Sequence, residues 1–124
     1  MLIIEVKNHS GVISGSTTDE KWIQRKYYRK GKTIEIEMEN PLKQIKRQRE
    51  ILKSILRAND LDVWMDSILF FSGNPGLRLK IDGDISIASS ENELIGLINE
   101  YRAKNPPTAE ECERIVQILQ QNSS

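Results

Sequence analysis

The sequence contains little of the chemistry on which several classes of protein depend. It has one cysteine, Cys112, and one histidine, His9, among its 124 residues. A single thiol excludes an internal disulfide, and one thiol with one imidazole cannot supply the ligands of a zinc site. No apolar run approaches the length of a membrane-spanning helix, and the first residues lack the basic stretch and cleavage site of a signal peptide. These absences predict a cytoplasmic protein that does not enter a membrane.

The charged residues balance to a formal net charge of zero, yet they are unevenly distributed along the chain. Residues 20–60 contain twelve Lys and Arg against six Asp and Glu, whereas residues 61–124 contain five against ten. A basic segment can attract an anion locally although the total charge is zero. The imbalance is a modest indication of anion binding and is not by itself a signature of nucleic-acid binding.

The hydrophobic periodicity predicts one α/β domain, or an α+β domain if its hairpins dominate. Residues 1–121 form this single domain, with a frayed tail at 122–124, because 124 residues suffice for one core but not for two. The strand at 2–7, a crossover helix and the strand at 63–71 are expected to place their two strands parallel in one mixed sheet. The other predicted strands are 12–15, 22–29, 32–39, 77–81 and 84–88, and the predicted helices are 41–58, 91–104 and 107–121.

The first strand, Leu2–Lys7, carries two charges in an apolar setting. Because side chains alternate between the faces of a strand, Glu5 and Lys7 share one face with Ile3, and the opposite face is wholly apolar. Burying an ionised glutamate and lysine is costly unless they are paired or used. One interpretation is an ion pair on a half-exposed edge. The other is a carboxylate that holds a divalent metal beside an ammonium that faces a phosphate.

Further residues at fitting distances extend this pattern along the chain, and together they resemble the nuclease-related domain family, NERD, of the PD-(D/E)XK superfamily. The residues that carry the resemblance are Glu5-Val6-Lys7-Asn8, Ser10-Gly11, Ile13-Ser14-Gly15, Trp22 and Asn40-Pro41 with Gln44, and it extends to the helix start at 107–111. It implies a partial restriction-endonuclease-like fold, with a mixed sheet, a crossover helix and two C-terminal helices.

By this resemblance the site is that of a metal-dependent nuclease acting on DNA. Glu5 would be a metal ligand, Lys7 the catalytic lysine, and Gln44 a helix residue that faces the active site. Mg²⁺ or Mn²⁺ is the implied cofactor, because such ions need only one or two carboxylates together with waters and the substrate phosphate.

One part of the family pattern is missing. The family supplies an acidic residue on the strand before Glu-x-Lys and another on a helix further upstream, but Met1 lies only four positions before Glu5. Asp19 or a hairpin residue such as Glu35 could take over that role, although nothing in their spacing favours them. We therefore expect little or no nuclease activity from this chain alone. The alternative is a non-catalytic nucleic-acid-binding or assembly module that retains the nuclease fold.

Basic residues on the predicted helix and hairpin are the candidates for contact with DNA phosphates. A solvated outer face is the other explanation of such charges. If they bind DNA, the contact should be weak and independent of sequence, because phosphates carry no sequence information. The candidates are Arg25, Lys26, Lys43, Lys46, Arg47 and Lys53.

The first strand also predicts self-association. In the family fold the Glu-x-Lys strand is flanked by upstream strands for which this sequence has no counterpart. A strand edge without a neighbour presents unpaired backbone donors and acceptors and is a template for pairing with another chain. We therefore expect a homodimer through the edge of Leu2–Lys7.

Overall fold

The computed structural model describes residues 1–83 and 85–122, which form an α+β fold of two sheets and three α-helices. The fold class is as predicted, but the strands are divided between two sheets. No helix in this part of the chain is both long and apolar enough to cross a membrane. The strands are β1 (Leu2–Lys7), β2 (Val12–Ser16), β3 (Lys21–Tyr27), β4 (Thr33–Glu39), β5 (Asp66–Phe71), β6 (Gly76–Lys80) and β7 (Ser86–Ala88), and the helices are α1 (Pro41–Arg57), α2 (Glu91–Glu100) and α3 (Ala109–Asn122).

The first sheet is parallel and has the order β1-β5-β7, so β1 lies at its edge. This confirms the predicted parallel pairing of the first strand with the strand after the crossover helix. Glu5 is paired with Leu69, and Lys7 with Phe71. Partners in a parallel pair point to the same face. Since Leu69 and Phe71 are fully buried against Ile45 of α1, the two charged residues of β1 face the helix side of the sheet.

The second sheet has the order β4-β3-β2-β6 and contains the predicted hairpin, whose arms are β3 and β4. Trp22 of β3 is fully buried, and its indole Nε1 donates to the carbonyl of Ser16 at 2.9 Å. The indole lies directly on Gly15, where a Cβ atom would come within 2.3 Å of the ring. The glycine and the tryptophan therefore have a structural reason to occur together in this sequence.

Helix α1 begins at an asparagine that also organises the preceding loop. Asn40 is 1% exposed, and its Oδ1 accepts from the backbone of Leu42 at 2.9 Å, as an N-cap does. Its Nδ2 donates to the carbonyls of Ser16, Thr17 and Asp19, the last at 2.7 Å. The helix start was predicted from the sequence, but this second role of Asn40 was not.

Several element boundaries differ from the prediction, and three of these differences concern the start of β5, the end of α2 and the carboxyl end of the chain. Residues 61–65 alternate between buried and exposed, as a strand does, but they lie in neither sheet, and β5 starts only at Asp66. Helix α2 ends at Glu100 instead of residue 104, because the backbone of Tyr101 is extended and its hydroxyl donates to Asp66 at 2.9 Å.

The third difference lies at the carboxyl end. Helix α3 continues through Asn122, which was predicted to begin a frayed tail, while residues 123 and 124 of that tail lie outside the described residues. Of the strands predicted at 77–81 and 84–88, one is in each sheet, and residue 84 also lies outside the described part.

Candidate active site

Glu5 and Lys7 form an ion pair with each other on β1. The Lys7 ammonium is 3.5 Å from Glu5 Oε1, and the two side chains are 26% and 21% exposed. Both groups therefore keep access to solvent while lying beside the buried face of the sheet. This arrangement satisfies the ion-pair interpretation of the sequence, and it also leaves a carboxylate and an ammonium side by side where a phosphate can reach them.

Gln44, on the first turns of α1, contacts a carboxylate that the sequence analysis did not single out. Its Nε2 donates to Glu39 Oε2, and Arg47 Nη2 lies 4.0 Å from the same oxygen. The hydrogen bond from Gln44 lowers the pKa of Glu39, with smaller contributions from the charges of Arg47, Lys21 and Lys7, while burial acts in the opposite direction. Glu39 therefore carries its negative charge beside Gln44 and Arg47 at the start of α1.

The two acidic residues that the sequence offered as substitutes lie elsewhere. Glu35 accepts two hydrogen bonds from the guanidinium of Arg25, and Asp19 Oδ2 accepts from the backbone N–H of Ser16 at 3.0 Å. A signal for Glu39 was present in the sequence, because it directly precedes the Asn40-Pro41 helix start and is five residues from Gln44. The hydrogen bond that its carboxylate accepts from Gln44 shows that it lies beside the helix.

The side chains of Glu5, Glu39 and Gln44 offer oxygen atoms of the kind that a hard divalent cation prefers. Glu5 and Glu39 are carboxylates, and Gln44 supplies an amide oxygen, which are the oxygen ligands that Mg²⁺ and Mn²⁺ prefer. Residues 1–83 and 85–122 contain no group of three or more His, Cys, Asp or Glu side chains that could hold a metal ion. A metal at this site would therefore have few protein ligands and would keep most of its waters.

The structure divides the basic candidates into three groups. Lys43 and Arg47 are on the part of α1 that faces Glu39, Lys46 and Lys53 line a cavity on another flank of the helix, and Arg25 and Lys26 are on the hairpin. Successive hairpin residues point to opposite faces. The hydrogen bonds that Arg25 donates to Glu35 raise the pKa of Arg25 and keep its charge paired.

Comparison with known families identifies the chain. The family model of the nuclease-related domain, NERD, matches residues 1–72, which is more than half of the chain and contains Glu5, Lys7, Trp22 and Gln44. The protein therefore belongs to the NERD family. The match covers β1 to β5 and ends before the helix start at 107–111 to which the sequence resemblance extended. Comparisons with curated proteins and with solved structures gave no match.

Proposed function

We propose that Glu5, Lys7, Gln44 and Glu39 form a site for metal-dependent hydrolysis of DNA phosphodiesters, with little activity in this chain alone. The observations that support the proposal are the Glu5–Lys7 pair on one strand and the hydrogen bond from Gln44 to the Glu39 carboxylate. Bound Mg²⁺ or Mn²⁺ would polarise the phosphate and lower the pKa of an attacking water. Low activity is expected because each carboxylate is already engaged by a neighbouring side chain.

Each residue has a distinct role in this proposal. Glu5 holds the cation, and Lys7 places its ammonium where negative charge develops on the phosphate in the transition state. Glu39 is the second carboxylate, and Gln44 orients it through the hydrogen bond to Oε2. The hydrogen bond from Gln44 lowers the pKa of Glu39, which favours the ionised carboxylate that a cation needs.

A second candidate function is supported by the same contacts. If the bonds from Lys7 to Glu5 and from Gln44 to Glu39 persist when metal is present, the site has become structural and the chain is a binding module. The two candidates differ in whether a divalent cation binds at these carboxylates.

Metal titration separates these alternatives. We expect Mn²⁺ to bind weakly, with an affinity of about millimolar, and to bind at least about tenfold more weakly to the Glu5→Gln and Glu39→Gln variants. Isothermal titration calorimetry, or the loss of the free Mn²⁺ signal in electron paramagnetic resonance, measures this directly. The matched control is Glu35→Gln, on the same strand and face as Glu39 but paired with Arg25, which should bind as the unaltered protein does.

Two results would contradict the proposed metal site. One is the absence of any Mn²⁺ binding to the unaltered chain, which would favour the binding module. The other is equal binding by the Glu39→Gln and Glu35→Gln variants, which would remove Glu39 from the site.

We also propose weak, non-specific binding to DNA through Arg25, Lys26, Lys43, Lys46, Arg47 and Lys53. Such contacts release condensed counterions, so the affinity should fall steeply as salt is raised. Changing Lys46, Arg47 and Lys53 together to glutamate should reduce the affinity further and flatten its salt dependence. Fluorescence anisotropy of a labelled duplex at several salt concentrations tests this. An affinity indifferent to salt, or unchanged by the three substitutions, would contradict it.

The proposed partner at the free edge of β1 is a second copy of this chain. In the described residues β1 pairs only with β5, and its outer face exposes Ile4 by 38% and Val6 by 56%. A symmetric pairing of two such edges would satisfy backbone groups and cover apolar surface at once.

A further inference from the structure

A cavity of about 550 Å³ lies on the flank of α1 that points away from Gln44. One wall is formed by α1, including Ile45, Lys46, Arg49 and Lys53. The opposite walls are formed by the chain that enters β5, from Trp64 to Ser67, and by Thr17 together with Asp82, Gly83 and Ile85. Neither Glu5 nor Lys7 lines it, so it is separate from the candidate active site.

The cations of α1 are placed along this cavity at regular intervals. Arg49 Nη1 donates to the carbonyl of Met65 at 3.3 Å, which fixes the middle of the helix beside the entrance to β5. Lys46 and Lys53 are one turn to either side, about 10.5 Å apart along the helix axis. Neither lysine takes part in an ion pair with the described residues. Their charges are therefore available to a ligand.

An aromatic ring is held at the edge of the same cavity. Trp64 is 48% exposed, and its Nε1 donates to Asp66 Oδ1 at 3.1 Å. The ammonium of Lys104 lies 4.9 Å from the centroid of the indole. These two contacts fix the orientation of the ring, although leaving a tryptophan half exposed forfeits much of its hydrophobic stabilisation.

Hydrogen bonds hold the wall that contains Thr17, and another wall contains a hydroxyl without a hydrogen-bond partner among the described residues. Thr17 Oγ1 accepts from the backbone N–H of Asp82 at 2.7 Å, and the side chain of Asn40 holds the loop that carries Thr17. Ser67 lines the cavity and is 5% exposed, and its Oγ has no hydrogen-bond partner among the described residues. A buried hydroxyl without a partner is unfavourable and needs an explanation.

The charges around the cavity are mixed and not simply basic. Glu50, Asp66 and Asp82 accompany the three cations of the helix. A bare anion would be repelled by these carboxylates, whereas a ligand with an anionic end and an N–H-bearing end matches both sets. Asp66, beside the indole, can accept from such an N–H group, and the lysines can donate charge-assisted hydrogen bonds to the negative end.

We infer that this cavity binds a nucleotide, with its base against the indole of Trp64 and its phosphate between Lys46 and Lys53. Stacking on an aromatic ring suits every base, and lysines bind phosphate as point charges. The ligand is either a free nucleotide or an unpaired nucleotide within a DNA strand. Only binding of a DNA strand rests on the proposed function.

Tryptophan fluorescence tests the inference with dAMP as the probe and without divalent metal. Trp22 is fully buried, so quenching by dAMP should report mainly on Trp64. We expect saturable quenching that disappears in Trp64→Phe. Calorimetry, which does not depend on the indole signal, should show binding at least about tenfold weaker to Trp64→Ala. An absence of saturable quenching and of binding heat would overturn the inference.

A pair of charge variants tests the position of the phosphate. Lys46→Gln combined with Lys53→Gln should weaken dAMP binding at least about tenfold. Lys32→Gln combined with Lys80→Gln removes the same charge outside the cavity and should leave binding unchanged. Equal affinities of these two double variants would overturn the inference, as would equal binding of dAMP and deoxyadenosine.

Two further measurements distinguish a DNA strand from a free nucleotide as the ligand, and the cavity from the proposed active site on β1. A short single-stranded DNA that binds at least about tenfold more tightly than dAMP identifies a strand as the ligand, and equal affinities identify the free nucleotide. The measurement is repeated with Lys7→Ala, which removes the proposed catalytic ammonium. Unchanged dAMP binding by that variant supports a separate nucleotide site even if no DNA cleavage is found. Loss of dAMP binding would contradict a separate site, because it would mean that the nucleotide binds at Lys7 on β1.

Discussion

Replacing Lys7 with alanine is expected to abolish the low, metal-dependent cleavage of DNA that we propose for this chain. The activity to be lost is low, so it must be measured at high protein concentration with Mn²⁺ and a supercoiled plasmid, in which a single nick is visible. Removing an ammonium that faces the developing charge on a phosphate typically slows such a reaction by about 100-fold or more. Glu5→Gln should have an effect of similar size, because it removes the carboxylate that we propose as the ligand of the cation.

The fold should survive these substitutions, because both side chains are more than one-fifth exposed and pair chiefly with each other. Circular dichroism and thermal unfolding of each variant check this. Lys7→Arg should not restore cleavage, since a planar guanidinium cannot occupy the place of a compact ammonium. The matched control is Lys80→Ala, which removes an exposed lysine from β6.

Two outcomes would count against the assignment. Cleavage that continues unchanged in Lys7→Ala would mean that another site, or a contaminant, is responsible. The absence of cleavage in the unaltered chain, together with the absence of Mn²⁺ binding, would leave the binding module as the function. In any longer protein that contains this domain, the same two substitutions should abolish cleavage as well.

The sequence predicted the fold well where local and tertiary signals agree. The hairpin of β3 and β4, the start of α1 and the parallel pairing of β1 with β5 follow from turn residues, capping and apolar runs. The prediction from the sequence was wrong where a strand-like alternation has no neighbouring strand with which to pair. Residues 61–65 alternate correctly for a strand, with Val63 and Met65 buried and Trp64 exposed, yet they lie in neither sheet.

The candidate site was predicted only in part, for a physical reason. Glu5, Lys7 and Gln44 lie on a strand and a helix that the sequence pattern predicts, so the face of each element on which they lie could be inferred. Glu39 is at the end of a strand that belongs to the other sheet, and it contacts Gln44 only because the hairpin ends where α1 starts. Such contacts between elements depend on tertiary packing, which a periodic pattern does not encode.

The cavity beside Trp64 illustrates the same limit. Trp64 stands in an apolar run of the sequence, which is typical of a core residue. It is instead half exposed, because the segment that precedes β5 does not join the sheet. Lys46 and Lys53 were singled out for phosphate contact from their charge, but their separation from Arg47 is visible only in the packed helix.

The second large effect is expected from a substitution at the free edge of β1. The charges of Glu5 and Lys7 favour one register of the proposed dimer. Two antiparallel copies centred on Glu5 would place like charges opposite each other, which is destabilising. Centring the pair on Val6 instead places Glu5 of one copy opposite Lys7 of the other. The two exposed Val6 side chains then meet at the two-fold axis, with Ile4 diagonally beside them. In this register the two candidate active sites adjoin across the dimer.

Ile4→Lys is therefore expected to convert a homodimer into a monomer. The substitution places a charge in the apolar centre of the pairing in both copies, where burial of each aliphatic side chain is worth up to about 1.5–3 kcal/mol. Light scattering and sedimentation over a range of protein concentrations measure the change. The matched control is Ile34→Lys, since Ile34 is 49% exposed on β4, the edge strand of the other sheet, and this variant should remain dimeric. A monomeric unaltered chain at high concentration would refute the dimer. Dissociation caused by Ile34→Lys and not by Ile4→Lys would place the interface on the hairpin.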